Sequence, residues 1–301
     1  MQAQDTKDGF NVITIPWKAP DMAGFDCTGI PDYAADPSDI ETFQRDGVVV
    51  LPGVFADWVD TLLAGQARNI ENPDRFRFPC ESNPKGAPGR FFDSYCNWDL
   101  ISEYRDYVTQ SCAASMAGQF IRSTAIQFFH EHAFFKEPGT QSATPWHQDM
   151  SYYCVDGAQT VSVYVALDRA DAEVAVRFVK GSHKWGKLYR PRVFMDGGEF
   201  NTEDSEMESV PDIAGNPDDY DILATSLEPG DTILFDFRTL HGTTDALLKS
   251  RRRAFSSRWL GDDVRYFLRP GETSPPLPEG VGVKEGEAMP ADWFPVLWRK
   301  R

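Results

Sequence analysis

From Ser123 onward the chain reads as short β-rich runs separated by turn signals, and this pattern restricts its possible folds more than any other feature. The runs are AIQFFHEHAFFKE, TVSVYVALD, AVRFVKG, DTILFDF and RRAFSSRWLG, with EPGT, VDG, KGS and EPGD among the connections. Branched and aromatic side chains suit a pleated, half-buried surface, and Pro, Gly and Asp supply the turns. A series of this kind predicts an antiparallel sandwich or jelly roll.

Ahead of it lie helical signals. The spacing predicts a helix from Asp39 to about Asp46, with Asp39 as its cap and Phe43 facing inward. DGVVVLPGVF reads as a strand, and DWVDTLLAGQARNIEN as a helix with Val59, Leu62 and Leu63 on one side. A further helix is predicted from Glu103 to Gln119. The expected fold is mainly β with flanking helices, in one domain over residues 1–301, with a helical region at about 39–120. An acidic, irregular stretch from Phe194 to Asp221 (about 194–221) reads as a surface insertion, either a lid or a partly disordered loop, between which composition does not decide. The tail from Arg269 ends in ADWFPVLW, whose aromatics are expected to dock on the barrel.

Charge and cysteine usage narrow the function classes. A net charge of −16 argues against nucleic acid and against an anionic membrane surface. The five cysteines form no CxxC pair, so neither a disulfide framework nor a zinc ribbon is indicated. MQAQDTKDGFNVITIPWK contains no apolar run of signal-peptide length, and no stretch approaches the roughly 18 apolar residues of a membrane span. The expectation is a cytoplasmic protein acting on a small molecule; oligomeric state is not readable.

The chemistry begins at PWHQDMSYY. In an extended strand residues two apart share a face, so His147 and Asp149 project together while Gln148 points away. One imidazole and one carboxylate make two ligands of a facial metal site, which needs a third, another histidine. His241 stands at the end of the DTILFDFRTLHG strand, before Gly242, where a barrel-mouth ligand belongs. His183 lies in a polar turn and is expected to hydrogen-bond there. His130 and His132 alternate among large aromatics in FFHEHAFF and read as core or sheet-face residues. An HxD pair on its own equally describes a surface strand with an ordinary ion pair.

Arg252, in SRRRAFSSRW, adds a second element. A strand there would return beside that of His241 and bring a guanidinium to the same mouth. 2-Oxoglutarate chelates iron through its keto-acid end and leaves a distal carboxylate, which a guanidinium can bind bidentately. Thr243 would add a hydroxyl. The alternative is a solvated basic run of Arg251, Arg252 and Arg253.

TPWHQDMSYYCVDG, TVSVYVALDRADAE, VRFVKGSHKWG, EPGDTILFDFRTLHG and RRRAFSSRW together resemble the phytanoyl-CoA dioxygenase family, and DGVVVLPGVF resembles its N-terminal signature. The resemblance covers roughly residues 40 to 265. It implies a double-stranded β-helix (a cupin-like jelly roll), Fe(II), 2-oxoglutarate and O2. It also implies His147, Asp149 and His241 as metal ligands, and Arg252 and Thr243 as the hold on the distal carboxylate. By the same resemblance Lys136, Tyr164 and Thr144 border the cosubstrate, and Tyr153 forms part of the substrate wall. Asn97, Trp98 and Tyr152 are further candidates to shape the pocket.

The chain departs from the family in DAEVAVRFVKGSH, which lacks an Asn-Gly turn and carries Lys180 in place of proline. Halogenases of the wider group lack the carboxylate ligand, so Asp149 disfavours halogenation. Hydroxylation of an unactivated C–H bond is the expected outcome, with desaturation, ring closure or epimerisation left open. A non-enzymatic jelly-roll module, or a cupin-like enzyme using another metal, fits the combination of triad and Arg252 less well.

Overall fold

A computed structural model describes residues 15–23, 25–83, 86–141, 143–194, 198–199 and 207–301. Its helices are α1 (Pro37–Asp46), α2 (Val59–Glu71), α3 (Ser102–Gln110) and α4 (Ala113–Phe120). The strands are β1 (Val48–Leu51), β2 (Cys80–Glu81), β3 (Phe91–Tyr95), β4 (Ala125–Lys136), β5 (Val155–Asp156), β6 (Thr160–Ala166) and β7 (Arg177–Val179). They continue with β8 (Ile222–Leu223), β9 (Thr232–Phe235), β10 (His241–Gly242), β11 (Arg252–Leu260), β12 (Arg265–Tyr266) and β13 (Val296–Arg299). The large sheet runs β1-β9-β6-β11-β4-β3-β2, with β13 added on β4, and a small sheet runs β10-β7-β8. Pairing within these two sheets is antiparallel, as a jelly roll requires.

Local chemistry shifts two helix boundaries from the expectation. The cap of α1 is Asp36, whose side chain accepts from Ser38 N, and Pro37 takes the first helical position. Gly47 ends that helix at φ 73°, and a Cβ there would lie 2.3 Å from His183 Nδ1, so both backbone and space call for glycine. His183 therefore packs against this helix end. The single helix expected over 103–119 is two. Ser111 turns extended, and its Oγ accepts from Ala113 N at 3.3 Å, a local partner that competes with helix continuation.

The large sheet separates two environments by simple alternation. Val161, Val163 and Val165 of β6 and Phe255 and Trp259 of β11 share a core with residues from all four helices, among them Phe43, Leu62, Tyr104, Tyr107 and Phe120. Phe255 meets both Tyr104 and Tyr107 edge-on or tilted, at 4.6 and 5.3 Å. Truncating so buried a ring to alanine costs about 3–5 kcal/mol. The opposite face, with Tyr164, Ala166, Ala254 and Phe235, packs with Phe178 of the small sheet. A cavity lies on this second side.

In β4 the alternation changes hands. The β4–β11 register slips between Arg258 and Trp259, pairing them with His130 and Phe128 and leaving Phe129 as the extra residue. Ile126 and Phe128 face the helical core, whereas His130, His132, Phe134 and Lys136 face the cavity. All six are even-numbered, so without this bulge the two sets would share a face. Of the two readings expected for His130 and His132, core or sheet face, the structure has the sheet face, turned to the cavity.

The C-terminal segment docks as expected. Phe294, Leu297 and Trp298 are buried, β13 pairs with β4, and the Trp298 ring occupies the space a side chain on Gly118 of α4 would need. Part of the acidic stretch expected to form an insertion, 195–197 and 200–206, lies outside the described residues. Among the described residues no helix is long and apolar enough to cross a membrane.

Candidate metal centre

His147 and His241 exchange both backbone hydrogen bonds of an isolated antiparallel bridge, each N–H to the other's carbonyl at 2.9 Å. This bridge brings the two imidazoles together, 4.1 Å apart at their centroids. The expected strand through His147 and Asp149 is only this bridge residue, because Asp149 opens a short 3-10 turn, Asp149–Tyr152. The turn still leaves the carboxylate beside the imidazole. Asp149 Oδ1 lies 3.7 Å from Nε2 of each histidine, and one ligand atom from each of the three residues falls within 4.8 Å of the others.

The surrounding bonds orient this set. His147 Nδ1 lies 2.7 Å from Pro145 O, and His241 Nδ1 lies 2.9 Å from Thr239 O. A carbonyl only accepts, so each Nδ1 carries the proton and each Nε2 turns a lone pair inward. Burial, followed by the neighbouring His241, pushes the His147 pKa down to about 3, and burial also lowers that of His241. Both rings are thus neutral and able to ligate. Burial opposes ionisation of Asp149, but Arg258 and then the two imidazoles outweigh it and hold the carboxyl below its usual range. Ser162 Oγ donates to Asp149 Oδ2 at 2.8 Å.

The cavity above the triad has a volume of about 440 Å³. Arg252, Thr243, Lys136, Tyr164, Thr144 and Tyr153 all line it together with the triad. Arg252 and Lys136 are direct partners in the β11–β4 register, which sets two basic groups side by side at one end. Burial, and then Arg252, push the Lys136 pKa well down, and its Nζ lies 3.9 Å from the centroid of the Phe91 ring and 3.5 Å from Thr144 Oγ1. Thr243 Oγ1 accepts from Thr144 N at 2.7 Å, which fixes the two threonines to each other. Arg252 Nη1 donates to Val174 O at 2.6 Å, which anchors one edge of the guanidinium. A dianionic keto acid matches this cationic end as the triad matches its chelating end.

Asn97 does not reach the cavity. It is fully buried, with Oδ1 accepting from Arg77 N at 2.6 Å and Nδ2 donating to Arg77 O, Ser94 Oγ and Tyr95 O. Its role is to fix the backbone behind β3, and Trp98 likewise belongs to the helical core. Tyr152 does line the cavity, and its phenol bridges to the Arg192 backbone at 2.6 and 2.7 Å. Phe194, at the start of the acidic stretch, stands 5.1 Å from His147 ring to ring.

Sequence reasoning passed over Arg258 and Ser162. Arg258 is buried with Nη2 3.6 Å from Asp149 Oδ2, and its Nε donates to Tyr153 Oη at 3.0 Å. Strand periodicity was the available signal, because Arg258 and Arg252 both occupy even positions of one strand and so share its face.

Comparison with known proteins agrees with this geometry. The family model described as phytanoyl-CoA dioxygenase matches residues 43–254. Among solved structures, the chain resembles SnoN, a non-haem α-ketoglutarate-dependent epimerase from nogalamycin biosynthesis, at 23% identity and TM-score 0.66, covering 88% of this chain and 98% of that one. It resembles SnoK, a non-haem α-ketoglutarate-dependent carbocyclase from nogalamycin biosynthesis, at 18% identity and TM-score 0.63, covering 87% and 96%. EctD from S. alaskensis, solved with 2-oxoglutarate and 5-hydroxyectoine, aligns at 17% identity and TM-score 0.61, covering 89% and 91%. These likenesses establish the shared jelly-roll fold.

Proposed function

The chain belongs to the phytanoyl-CoA dioxygenase family of Fe(II)/2-oxoglutarate-dependent oxygenases, and from that premise we propose that it hydroxylates an unactivated C–H bond of a small molecule. The observation that carries this reading is the convergence of His147, Asp149 and His241 at the floor of the cavity. Two neutral imidazoles and a carboxylate are the donor set of a facial iron(II) site. When bound, iron with 2-oxoglutarate and O2 supplies the oxidant for the C–H bond, releasing succinate and CO2.

The chain's own residues perform the remaining tasks. Arg252 and Lys136 hold the distal carboxylate of the cosubstrate, with Thr243, Thr144 and Tyr164 shaping the pocket around it. Ser162 and Arg258 keep Asp149 Oδ2 engaged, so that Oδ1 faces the metal position. Tyr152, Phe194 and Phe235 border the triad with rings that exclude water from the reacting carbon. Hydroxylation asks no further group of the protein, and the phenols of Tyr152 and Tyr153 are already tied into hydrogen bonds.

Anaerobic titration with iron(II) and then 2-oxoglutarate tests the assignment. A weak charge-transfer band near roughly 500 nm is expected for a keto acid chelated at a ferrous facial site. Its absence with metal demonstrably bound would overturn the cosubstrate assignment. A product heavier by one oxygen atom distinguishes hydroxylation from desaturation, ring closure or epimerisation.

A further inference from the structure

One wall of the cavity, running along β3 and β4 from the cationic end, is built of stacked rings. Phe78 lies parallel to Tyr95 at 4.7 Å and 11°, Tyr95 meets His132 at 5.1 Å, and His132 stacks on Phe134 at 4.0 Å and 28°. Set into this wall is an oriented imidazole. His132 Nε2 lies 3.0 Å from Asp93 Oδ1, and Asp93 Oδ2 accepts from Ser82 Oγ at 2.7 Å. Asp93 is 3% exposed, so its carboxylate is reserved for these two donors. The Nε2 of His132 therefore carries the proton, and Nδ1 is left as an acceptor. Burial lowers the pKa of the ring against the pull of Asp93, which keeps it neutral.

We propose that His132, oriented by Asp93, accepts a hydrogen bond from a hydroxyl of the substrate, and that the substrate is a flat, uncharged ring compound bearing that hydroxyl. It rests on the proposed function only in taking this cavity as the substrate's. A neutral acceptor backed by a carboxylate repels anionic groups, so an acid or phosphate is disfavoured at this wall. The Arg258–Asp149 pair behind the ring is charge-balanced and offers no free carboxylate to a cation. A hydroxyl donor remains, and parallel rings favour a flat apolar skeleton beside it. The strand register sets the scale. His132 pairs with Ser256 of β11, which pairs with Tyr164 of β6, the strand whose Ser162 holds Asp149. Two strand spacings are about 10 Å, so a bicyclic or larger skeleton reaches from the dyad to the triad.

The test is equilibrium binding of 2-naphthol and of 2-methoxynaphthalene, read by probe fluorescence, to the full-length metal-free protein. Naphthol is expected to bind about tenfold more tightly than its methyl ether, the worth of one hydrogen bond to an oriented acceptor. His132→Phe, which keeps the stacked ring, and Asp93→Leu, which removes the acceptor that holds the proton on Nε2, should each bring the two affinities within about twofold. The affinity for the ether should be unchanged in both variants, which serves as the check that the wall is intact. Equal affinities in the wild type, no binding of either probe, or a preference surviving in both variants would each overturn the proposal. Because no metal is present, this result is independent of the iron and 2-oxoglutarate titration, and either reading can fail alone.

Discussion

The guanidinium of Arg258 and the carboxylate of Asp149 face each other beneath the cavity, with Nη2 3.6 Å from Oδ2 and both side chains buried. Arg258 is itself held by Tyr153 Oη and by Ser256 O, so its charge is fixed in place before any metal binds. Ser162 takes the same carboxylate oxygen. The pair thus determines which oxygen of Asp149 is presented to the two imidazoles.

Replacing Arg258 by methionine, similar in length but uncharged, should therefore weaken iron(II) binding about ten- to a hundredfold, the usual effect of removing a group that orients a ligand. Anaerobic metal titration measures this. An unchanged dissociation constant would mean that Ser162 alone orients the carboxylate.

His147→Ala and Asp149→Ala should each eliminate iron-dependent release of succinate from 2-oxoglutarate. Arg252→Ala should instead raise the 2-oxoglutarate concentration needed for half-maximal turnover about ten- to a hundredfold, the loss of a charge-assisted hydrogen bond. Full activity in the His147 variant would refute the metal assignment.

The depressed pKa of Lys136 predicts proton uptake when 2-oxoglutarate binds. In the free protein burial and Arg252 disfavour the ammonium form. An added carboxylate favours it, so the complex has the higher pKa and takes up as much as about one proton between the two values. Affinity should then fall as pH rises through that window. Calorimetry in two buffers of different ionisation enthalpy reads the uptake directly, and Lys136→Met should abolish it. Identical heats in both buffers for the wild type would contradict the prediction.

Glu131, on the opposite face of β4, predicts a pH dependence of stability. Burial raises its pKa from 4.5 to about 8, and its Oε1 accepts from Asn97 N at 2.5 Å. The folded state keeps a proton that the unfolded chain releases, so this residue's contribution to stability is lost as pH rises from 4.5 towards 8. Glu131→Gln retains the acceptor without the titration. Its thermal midpoint should gain on that of the wild type as pH increases, and parallel curves for the two proteins would count against the shift.

Much of the architecture was legible because it is written in local patterns. The strands β4, β6, β7, β9 and β11 coincide with the β-rich runs, and α2 with its apolar spacing, because periodicities of two and of about 3.6 are properties of neighbouring residues. The short strands β2, β3 and β10 were not legible, since they owe their existence to the partner they pair with. The cap at Asp36 was missed in favour of Asp39, although Pro37 at the first helical turn was the better local signal.

The candidate site divides along the same line. The residue types were readable from the sequence: an imidazole and a carboxylate two positions apart, a histidine after a β-rich run, and an arginine on a strand that follows. Their strands were not, since His241 opens β10 of the small sheet rather than ending β9, and β11 pairs with β4 and β6 rather than with the strand of His241. Their convergence was not, because His147 and His241 meet through a bridge between distant segments, and Asp149 joins them through a turn rather than a strand. Asn97 shows the opposite error, a polar residue near the right wall that points into backbone instead. The bulge at Phe129 is decided entirely by how β4 pairs with β11. It turns His130 and His132 from the helical core into the cavity, an outcome that no local alternation contains, because the face a strand residue takes depends on the register of its partner as well as its own parity.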